Sequence, residues 1–144
     1  MRFWDTSAVV PLVVPQERSR EIDRSYGRDP AINVWCLTGV EVWSAACRLR
    51  RQGLLDSPGM RLARDRLSSL AETWVEVDDL AGVRSRAQRL LETHALRAAD
   101  ALQLAAALTL VSERPERVSF VTLDARLAEA AEKEGFRIEG VLPA

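Results

Sequence analysis

The run VSFVTLDARLAEAAEKEGFRI, residues 118–138, contains a strand, a helix and a second strand in close succession. Val118 to Leu123 is rich in β-branched and aromatic residues, and Asp124 to Lys133 has the apolar spacing of a helix. Gly135 then separates that helix from a last strand at 136–138. A strand–helix–strand unit predicts two parallel strands, because the helix carries the chain back to the sheet edge where the first strand began. This stretch therefore predicts an α/β fold.

Strands and helices alternate in the same way over the rest of the chain. The patterns predict strands at 2–4, 31–35 and 74–77 and helices at 38–51, 57–71 and 80–91. Pro11 and Pro15 are expected to interrupt a first helical stretch, and a second one is expected from Gln16 to Tyr26. Asp100 is expected to open a helix that is apolar almost all round and therefore buried. The expected architecture is an α/β/α sandwich with a mainly parallel central sheet.

Length and composition limit the classes of protein that fit. The chain has 144 residues, enough for one domain and too few for two ordinary ones, so we treat residues 1–144 as a single domain. Its 47% hydrophobic content excludes a mainly disordered chain, and its net charge of −1 excludes a surface that is basic throughout. No apolar run approaches the roughly 20 residues of a membrane-spanning helix, and Asp5 comes too early for a signal peptide. We expect a cytoplasmic protein that does not bind membranes.

Four acidic residues lie where strands end or helices begin. Asp5 directly follows the first strand, and Asp124 directly follows the strand at 118–123. Glu41 lies one turn into its helix, and Asp100 stands at the head of the most hydrophobic helix. Because side chains beyond the carboxyl ends of parallel strands line the crevice where α/β proteins bind ligands, we expect these acids to face one crevice.

Each of these acids also has an ordinary structural explanation. Asp100 and Asp124 are good helix N-caps, and Glu41 is favoured in a first turn by the helix dipole. Asp5 is suited to accept backbone hydrogen bonds in its turn. All four together are harder to explain, because unpaired carboxylates crowded at one edge are costly unless they protonate or meet a cation. Oxygen ligands of this kind favour Mg²⁺ or Mn²⁺.

Four short motifs around these acids look like the acidic motifs of the PIN-domain ribonucleases. They are DTSA at 5–8, TGVE at 38–41, LRAADALQLA at 96–105 and FVTLD at 120–124. The resemblance covers essentially the full chain, in the family's order and at its typical spacing. Within the family the chain most resembles the VapC-type toxins of bacterial toxin–antitoxin pairs. The resemblance implies a PIN-like three-layer fold.

The resemblance also implies a Mg²⁺- or Mn²⁺-dependent endoribonuclease that hydrolyses RNA phosphodiester bonds. Asp5, Asp100 and Asp124 would bind metal directly or through water, and Glu41 would complete the catalytic cluster. The small polar residues that would orient ligands or water around the metal are Thr6, Ser7 and Thr122. The implied partners are an RNA substrate, a cognate antitoxin and a second copy of the chain in a homodimer. The first two helices and the helix at 57–71 are expected to form a groove for an amphipathic antitoxin segment.

Two other classes of protein gather acids at a sheet edge, and the motifs disfavour both. A response-regulator receiver domain needs two adjacent acids after its first strand and a lysine at a late strand end. Here Asp5 stands alone, and the only lysine, Lys133, lies on a polar helix face. A haloacid-dehalogenase-type phosphatase needs a second acid two residues after the first, where this chain has Ser7. The alternative that stays open is a non-catalytic PIN-like module that binds a protein partner or RNA.

Several other residues invite a role but have simpler explanations. The arginines of the two middle helices either contact RNA phosphates or form a solvated face, and they are Arg48, Arg50, Arg51, Arg61, Arg64 and Arg66. Arg97 precedes Asp100 by three residues and is able to pair with a site carboxylate. His94, the only histidine, is expected to pack or to cap a helix rather than act as a general acid. The four tryptophans are expected in the core, and Cys36 and Cys47 are expected to stay reduced.

Overall fold

A computed structural model describes residues 1–140 of the chain. In chain order the elements are β1 (Arg2–Trp4), α1 (Thr6–Val13), α2 (Ser19–Arg28), β2 (Asn33–Trp35), α3 (Thr38–Arg51), α4 (Ser57–Ala71), β3 (Val75–Val77), α5 (Leu80–Thr93), α6 (Ala98–Leu110), a 3₁₀ turn (Pro115–Arg117), β4 (Ser119–Val121), α7 (Ala125–Lys133) and β5 (Arg137–Glu139). None of the helices within residues 1–140 is long and apolar enough to cross a membrane.

The strands form one sheet in the order β3-β2-β1-β4-β5, and every neighbouring pair is parallel. Successive side chains of a strand point to opposite faces, so Phe3 and Trp4 of the central strand enter different cores. Phe3 packs in a core with residues of α5, α6 and α7, and Trp4 packs in a core with residues of α1, α2, α3 and α4. Helices therefore cover both faces, which confirms the predicted three-layer α/β/α fold with a parallel central sheet.

The topology brings the ends of the two central strands together. β1 pairs with β4 with Trp4 opposite Val121, and each strand is followed at once by a turn into a helix. α6 packs against α5 and against β2 and β3. One cleft lies at this edge of the sheet. It is lined by the carboxyl ends of β1 and β4 and by the first turns of α3 and α6.

Three local features of the helices differ from the sequence-based prediction. α6 begins at Ala98, so Asp100 is its third residue and does not open it. Pro11 lies inside α1 and does not interrupt it. A proline there removes one backbone donor, but Pro11 is buried and the helix ends two residues later at Val13, so little of the helix depends on that donor. α4 begins at Ser57, as predicted. The pair Ser57–Pro58 favours Ser57 as its N-cap, but the cap is Asp56, whose side chain accepts from the Gly59 N–H.

Other predicted bounds shift by a few residues. The second helix runs over Ser19–Arg28 instead of 16–26, and the last strand runs over Arg137–Glu139 instead of 136–138. The predicted helix at 38–51 coincides with α3. The extent of the single domain, residues 1–144, stays a prediction, since residues 141–144 lie outside the described part of the chain.

Candidate active site

The four acids singled out in the sequence line one open cleft of about 970 Å³ at the carboxyl edge of the sheet. They come from four separate segments: the turn after β1, the first turn of α3, the first turn of α6 and the turn after β4. The remaining polar residues that line the cleft are Thr6, Ser7, Ser44, Gln103, Arg48, Arg97 and Arg126. The cleft is therefore acidic at its base and carries three arginines.

Asp5 is the most buried of the four acids, with only 4% of its surface exposed. It caps α1, accepting from the Ser7 N–H at 3.3 Å and from the Ser7 hydroxyl at 2.8 Å. Burial, with a smaller contribution from the nearby charge of Asp124, raises the pKa of Asp5 to about 7 against the opposing effect of its hydrogen bonds. Without a cation the site therefore disfavours ionised Asp5.

Ser7 and Thr122 connect Asp5 to the turn after β4. The Ser7 hydroxyl donates to Asp5, so the hydroxyl of Thr122, 3.2 Å away, donates to Ser7. Ser7 also accepts from the Leu123 N–H at 2.9 Å, and Thr122 accepts from the Asp124 N–H at 3.1 Å. Thr122 is fully buried. The two small polar residues thus fix the Asp5 carboxylate relative to the backbone at Asp124.

Asp124 and Asp100 differ in their helical positions. Asp124 is the N-cap of α7, and its Oδ1 accepts from the Leu127 N–H at 2.9 Å. Asp100 makes no cap, because α6 begins two residues earlier and Arg97 occupies the cap position. Burial raises the pKa of Asp100, and the charge of Asp124 raises it as well, while Arg97 and Arg126 act in the opposite direction. The N-cap explanation therefore holds for Asp124 and is wrong for Asp100.

Glu41 is half-buried, and both of its carboxylate oxygens are engaged. The Thr6 hydroxyl donates to Oε2 at 3.0 Å, and the Gln103 amide donates to Oε1 at 3.3 Å. Burial raises the pKa of Glu41, and the charge of Asp100 adds to that effect, whereas the two hydrogen bonds oppose it. Three of the four carboxyls thus have raised pKa values for the same reasons, burial and one another's charge.

The donor set of the cleft suits a hard divalent cation, since it consists of carboxylate and hydroxyl oxygens. Among residues 1–140, however, no three His, Cys, Asp or Glu side chains are arranged so that they could hold a metal ion between them. Mg²⁺ commonly uses only one or two protein carboxylates and keeps several waters. The chemistry of the cleft therefore fits such an ion, while the described side chains do not form a complete cage.

Several residues considered in the sequence lie away from the cleft. His94 caps the carboxyl end of α5, and its largely buried side chain lies 3.7 Å from Glu134. Trp4 and Trp35 are buried in the two cores. Of the arginines on α3 and α4, only Arg48 lines the cleft. The others that have a defined contact lie elsewhere: Arg50 donates to Ser57, Arg64 lies over the Trp43 ring at 4.4 Å, and Arg66 lines a groove between α1, α2 and α4.

Three polar residues of the cleft were not singled out in the sequence: Ser44, Gln103 and Arg126. Gln103 is buried and contacts Thr6, Thr38 and Glu41. Its position one turn after Asp100, as a large polar side chain in an otherwise apolar helix, is a signal that was present in the sequence. Arg126 follows Asp124 by two residues and was hidden among many surface arginines.

Comparison with known proteins identifies one family. The family model described as PIN domain matches residues 2–133, a span that runs from β1 through α7 and includes all four acids. No curated protein matches the chain. The matched fold is of nuclease type.

Proposed function

The chain belongs to the PIN-domain family, and from that premise we propose that it is a metal-dependent endoribonuclease that hydrolyses RNA phosphodiester bonds. The observation that carries the proposal is the meeting of Asp5, Glu41, Asp100 and Asp124 in one cleft. Helix capping accounts for the position of Asp124 and in part for that of Asp5, since both are N-caps. It does not account for the presence of an acid at Asp100 or Glu41, which cap no helix. Four carboxyls with mutual repulsion need a cation to stay ionised together.

In this proposal Asp5, Asp100 and Asp124 hold Mg²⁺ or Mn²⁺, directly or through water. The ion, when bound, lowers the pKa of a water molecule and offsets negative charge on the phosphate. Ser7 and Thr122 hold the Asp5 carboxylate in one orientation through the chain of hydroxyl hydrogen bonds. Glu41 contributes further negative charge to the catalytic cluster, and its orientation is fixed by Thr6.

Substrate binding falls to the basic residues at the cleft. Arg48, Arg97 and Arg126 are exposed and line the same cavity as the acids. Guanidinium groups bind phosphate oxygens in bidentate fashion, so these side chains are suited to the phosphates on either side of the bond to be cut. RNA and the cation should then bind cooperatively, because the acids repel RNA until a cation offsets their charge.

A toxin role is the finer part of the proposal. A groove of about 470 Å³ lies between α1, α2 and α4, and its apolar lining is formed by Pro11, Leu12, Pro15, Tyr26 and Leu70. This is the location that the sequence predicted for an amphipathic antitoxin segment. We include a cognate antitoxin, a homodimer and a cytoplasmic site of action in the proposal, as the resemblance to VapC-type toxins implies them.

A cleavage assay on total RNA tests the activity. The wild-type chain is expected to release discrete fragments in Mn²⁺ and none in the presence of a chelator. Asp100→Asn, which removes one charge and keeps the side-chain shape, is expected to lower the rate at least about a hundredfold. Asp65→Asn is the matched control, because Asp65 is an exposed acid on α4 outside the cleft. Equal cleavage by wild type and Asp100→Asn would assign the nuclease to a contaminant and contradict the proposal.

A further inference from the structure

Gln103 is the point at which three of the acid-bearing segments meet. Its side chain is 1% exposed. Its amide nitrogen lies 2.9 Å from the Thr6 hydroxyl, 3.1 Å from the Thr38 hydroxyl and 3.3 Å from Glu41 Oε1. Thr6 directly follows Asp5, Thr38 and Glu41 belong to α3, and Gln103 itself lies one turn after Asp100. One amide group thus bridges α1, α3 and α6.

The direction of the hydrogen bonds follows from the groups involved. The Thr6 hydroxyl has one proton and donates it to Glu41 Oε2, so toward Gln103 the same hydroxyl acts as an acceptor. Rotating the amide by half a turn would let the Thr38 hydroxyl donate to its oxygen, but it would aim that oxygen at Glu41 and at the Thr6 oxygen, whose one proton is already given to Glu41. The nitrogen therefore faces the cleft, and its two protons are shared among Thr6, Thr38 and Glu41. Glu41 receives one bond from Thr6 and a shared bond from Gln103.

This orientation leaves the other end of the amide unsatisfied. Within residues 1–140, Gln103 Oε1 is one of the few buried side-chain atoms without a hydrogen-bond partner. A buried acceptor without a partner costs free energy that an apolar side chain in the same helix would not. The surrounding helix positions are alanine and leucine, so packing alone does not call for a polar residue there. The hydrogen bonds that the Gln103 amide nitrogen donates must therefore outweigh the free-energy cost of burying its oxygen without a partner.

We propose that Gln103 is a positioning residue that fixes the Glu41 carboxylate relative to Asp5 and Asp100 before a cation binds. The inference rests on the proposed function, because it gives Gln103 a role only through the acidic cluster. Gln103 touches neither substrate nor ion in this account. It acts only through Glu41, which it restricts to one orientation relative to Asp5 and Asp100.

Calorimetric titration of Mn²⁺ into the metal-free protein tests the inference without relying on cleavage. Gln103→Met keeps the length and apolar volume of the side chain and removes both donors. It is expected to weaken Mn²⁺ binding roughly tenfold, in the lower part of the range for residues that support metal ligands. Glu41→Gln is expected to weaken binding by a similar factor. The double variant Glu41→Gln/Gln103→Met should bind no more weakly than Glu41→Gln alone, because Gln103 acts through Glu41.

Two further variants separate positioning from stability. Leu108→Ala opens a cavity five residues further along the same helix, at a buried residue outside the cleft. It should lower the melting temperature and leave Mn²⁺ affinity unchanged. If Gln103→Met fails to fold, Thr6→Val tests the same network, because it removes the hydroxyl that joins Gln103 to Glu41 with little change of shape. Thr6→Val is also expected to weaken Mn²⁺ binding.

The outcomes distinguish the inference from the proposed function. If wild type binds Mn²⁺ and Asp100→Asn does not, while Gln103→Met binds like wild type, the inference is wrong and the proposed function stands. Independent, multiplying losses from Glu41→Gln and Gln103→Met would also overturn the inference. If folded wild type takes up no Mn²⁺, the proposed function fails and the inference fails with it.

Discussion

The backbone N–H of Asp5 donates to the carbonyl oxygen of Val121 at 3.1 Å, which extends the pairing of β1 with β4 one residue beyond Trp4. This bond fixes the start of α1 to the end of the neighbouring strand, three residues before Asp124. It explains how a carboxyl comes to be buried at the base of the cleft, since the backbone that carries Asp5 is part of the sheet.

Asp5→Asn is expected to stabilise the metal-free protein at pH 8. The pKa of Asp5 is raised from 3.8 to about 7, so the folded protein binds a proton that the unfolded chain has lost. Stability is therefore lost as pH rises between these two values, by a total on the order of 4 kcal/mol for this group. Asparagine carries no charge to desolvate and still accepts from Ser7. Urea denaturation in chelator at pH 5 and pH 8 measures the unfolding free energy of both proteins. The advantage of Asp5→Asn over wild type should be larger at pH 8. If the unfolding free energy of Asp5→Asn fell with rising pH as much as that of wild type, the charge of Asp5 would not be what destabilises the folded protein.

Asp124→Asn separates helix capping from metal binding. Asparagine caps helices about as well as aspartate, so this variant should keep its stability to within a few tenths of a kcal/mol and lose RNA cleavage. Asp124→Ala should lose cleavage and also about 1 kcal/mol of stability, because the Leu127 N–H then has no cap. Asp56→Asn is the matched control, since Asp56 caps α4 in the same way outside the cleft. If Asp124→Asn cleaved RNA as fast as wild type, Asp124 would only cap α7 and would have no part in catalysis.

The arginines of the cleft are expected to set the salt dependence of RNA binding. Binding of a single-stranded RNA is measured in the Asp100→Asn background, where no cleavage interferes. Removing Arg126 as Arg126→Gln should reduce the slope of log affinity against log salt by about 0.7 if Arg126 contacts one phosphate. Arg97→Gln should act similarly. Arg84→Gln, an exposed arginine on α5 outside the cleft, is the control and should leave the slope unchanged. If all the variants had the same slope as the unsubstituted background, the RNA phosphates would not contact the arginines of the cleft.

Removal of the metal is expected to lower the thermal stability of wild type and not that of Asp100→Asn. A ligand at a hundred times its Kd stabilises the folded state by about 2.7 kcal/mol, which corresponds to a rise of at least about 5 °C for a domain of this size. The melting temperature with Mn²⁺ is compared with that in chelator. A rise of the same size in Asp100→Asn would indicate a cation site outside the cleft.

The sequence predicted the fold well because its signals were local. The apolar spacing and the run of arginines before Gly53 predicted α3 to the residue, and the strand–helix alternation predicted a parallel sheet. The start of α6 was placed late because Arg97, Ala98 and Ala99 carry no capping signal, and the structure shows no side-chain cap there. Pro11 was wrongly expected to interrupt the first helix. α1 packs in a core formed with residues far along the chain, and local sequence does not show that packing.

The site was predicted in part. That Asp5, Glu41, Asp100 and Asp124 would share one crevice followed from the rule for parallel strands, and they line one cleft. The links between them could not be predicted, because the contacts of Gln103 with Thr6 and Glu41 join residues far apart in the chain. Which buried polar atoms meet depends on side-chain orientation in the folded core, and no sequence periodicity encodes that.

The decisive measurement is titration of Mn²⁺ into the folded, metal-free wild-type chain, with Asp100→Asn and Asp65→Asn measured beside it. Wild type and Asp65→Asn should bind Mn²⁺ saturably, and Asp100→Asn should not bind it. The titration is repeated with a single-stranded RNA present, because RNA phosphates can complete the coordination of a divalent ion. Absence of binding by folded wild type at millimolar Mn²⁺, with and without RNA, would rule out a metal-dependent nuclease and favour a PIN module that binds a partner without catalysis.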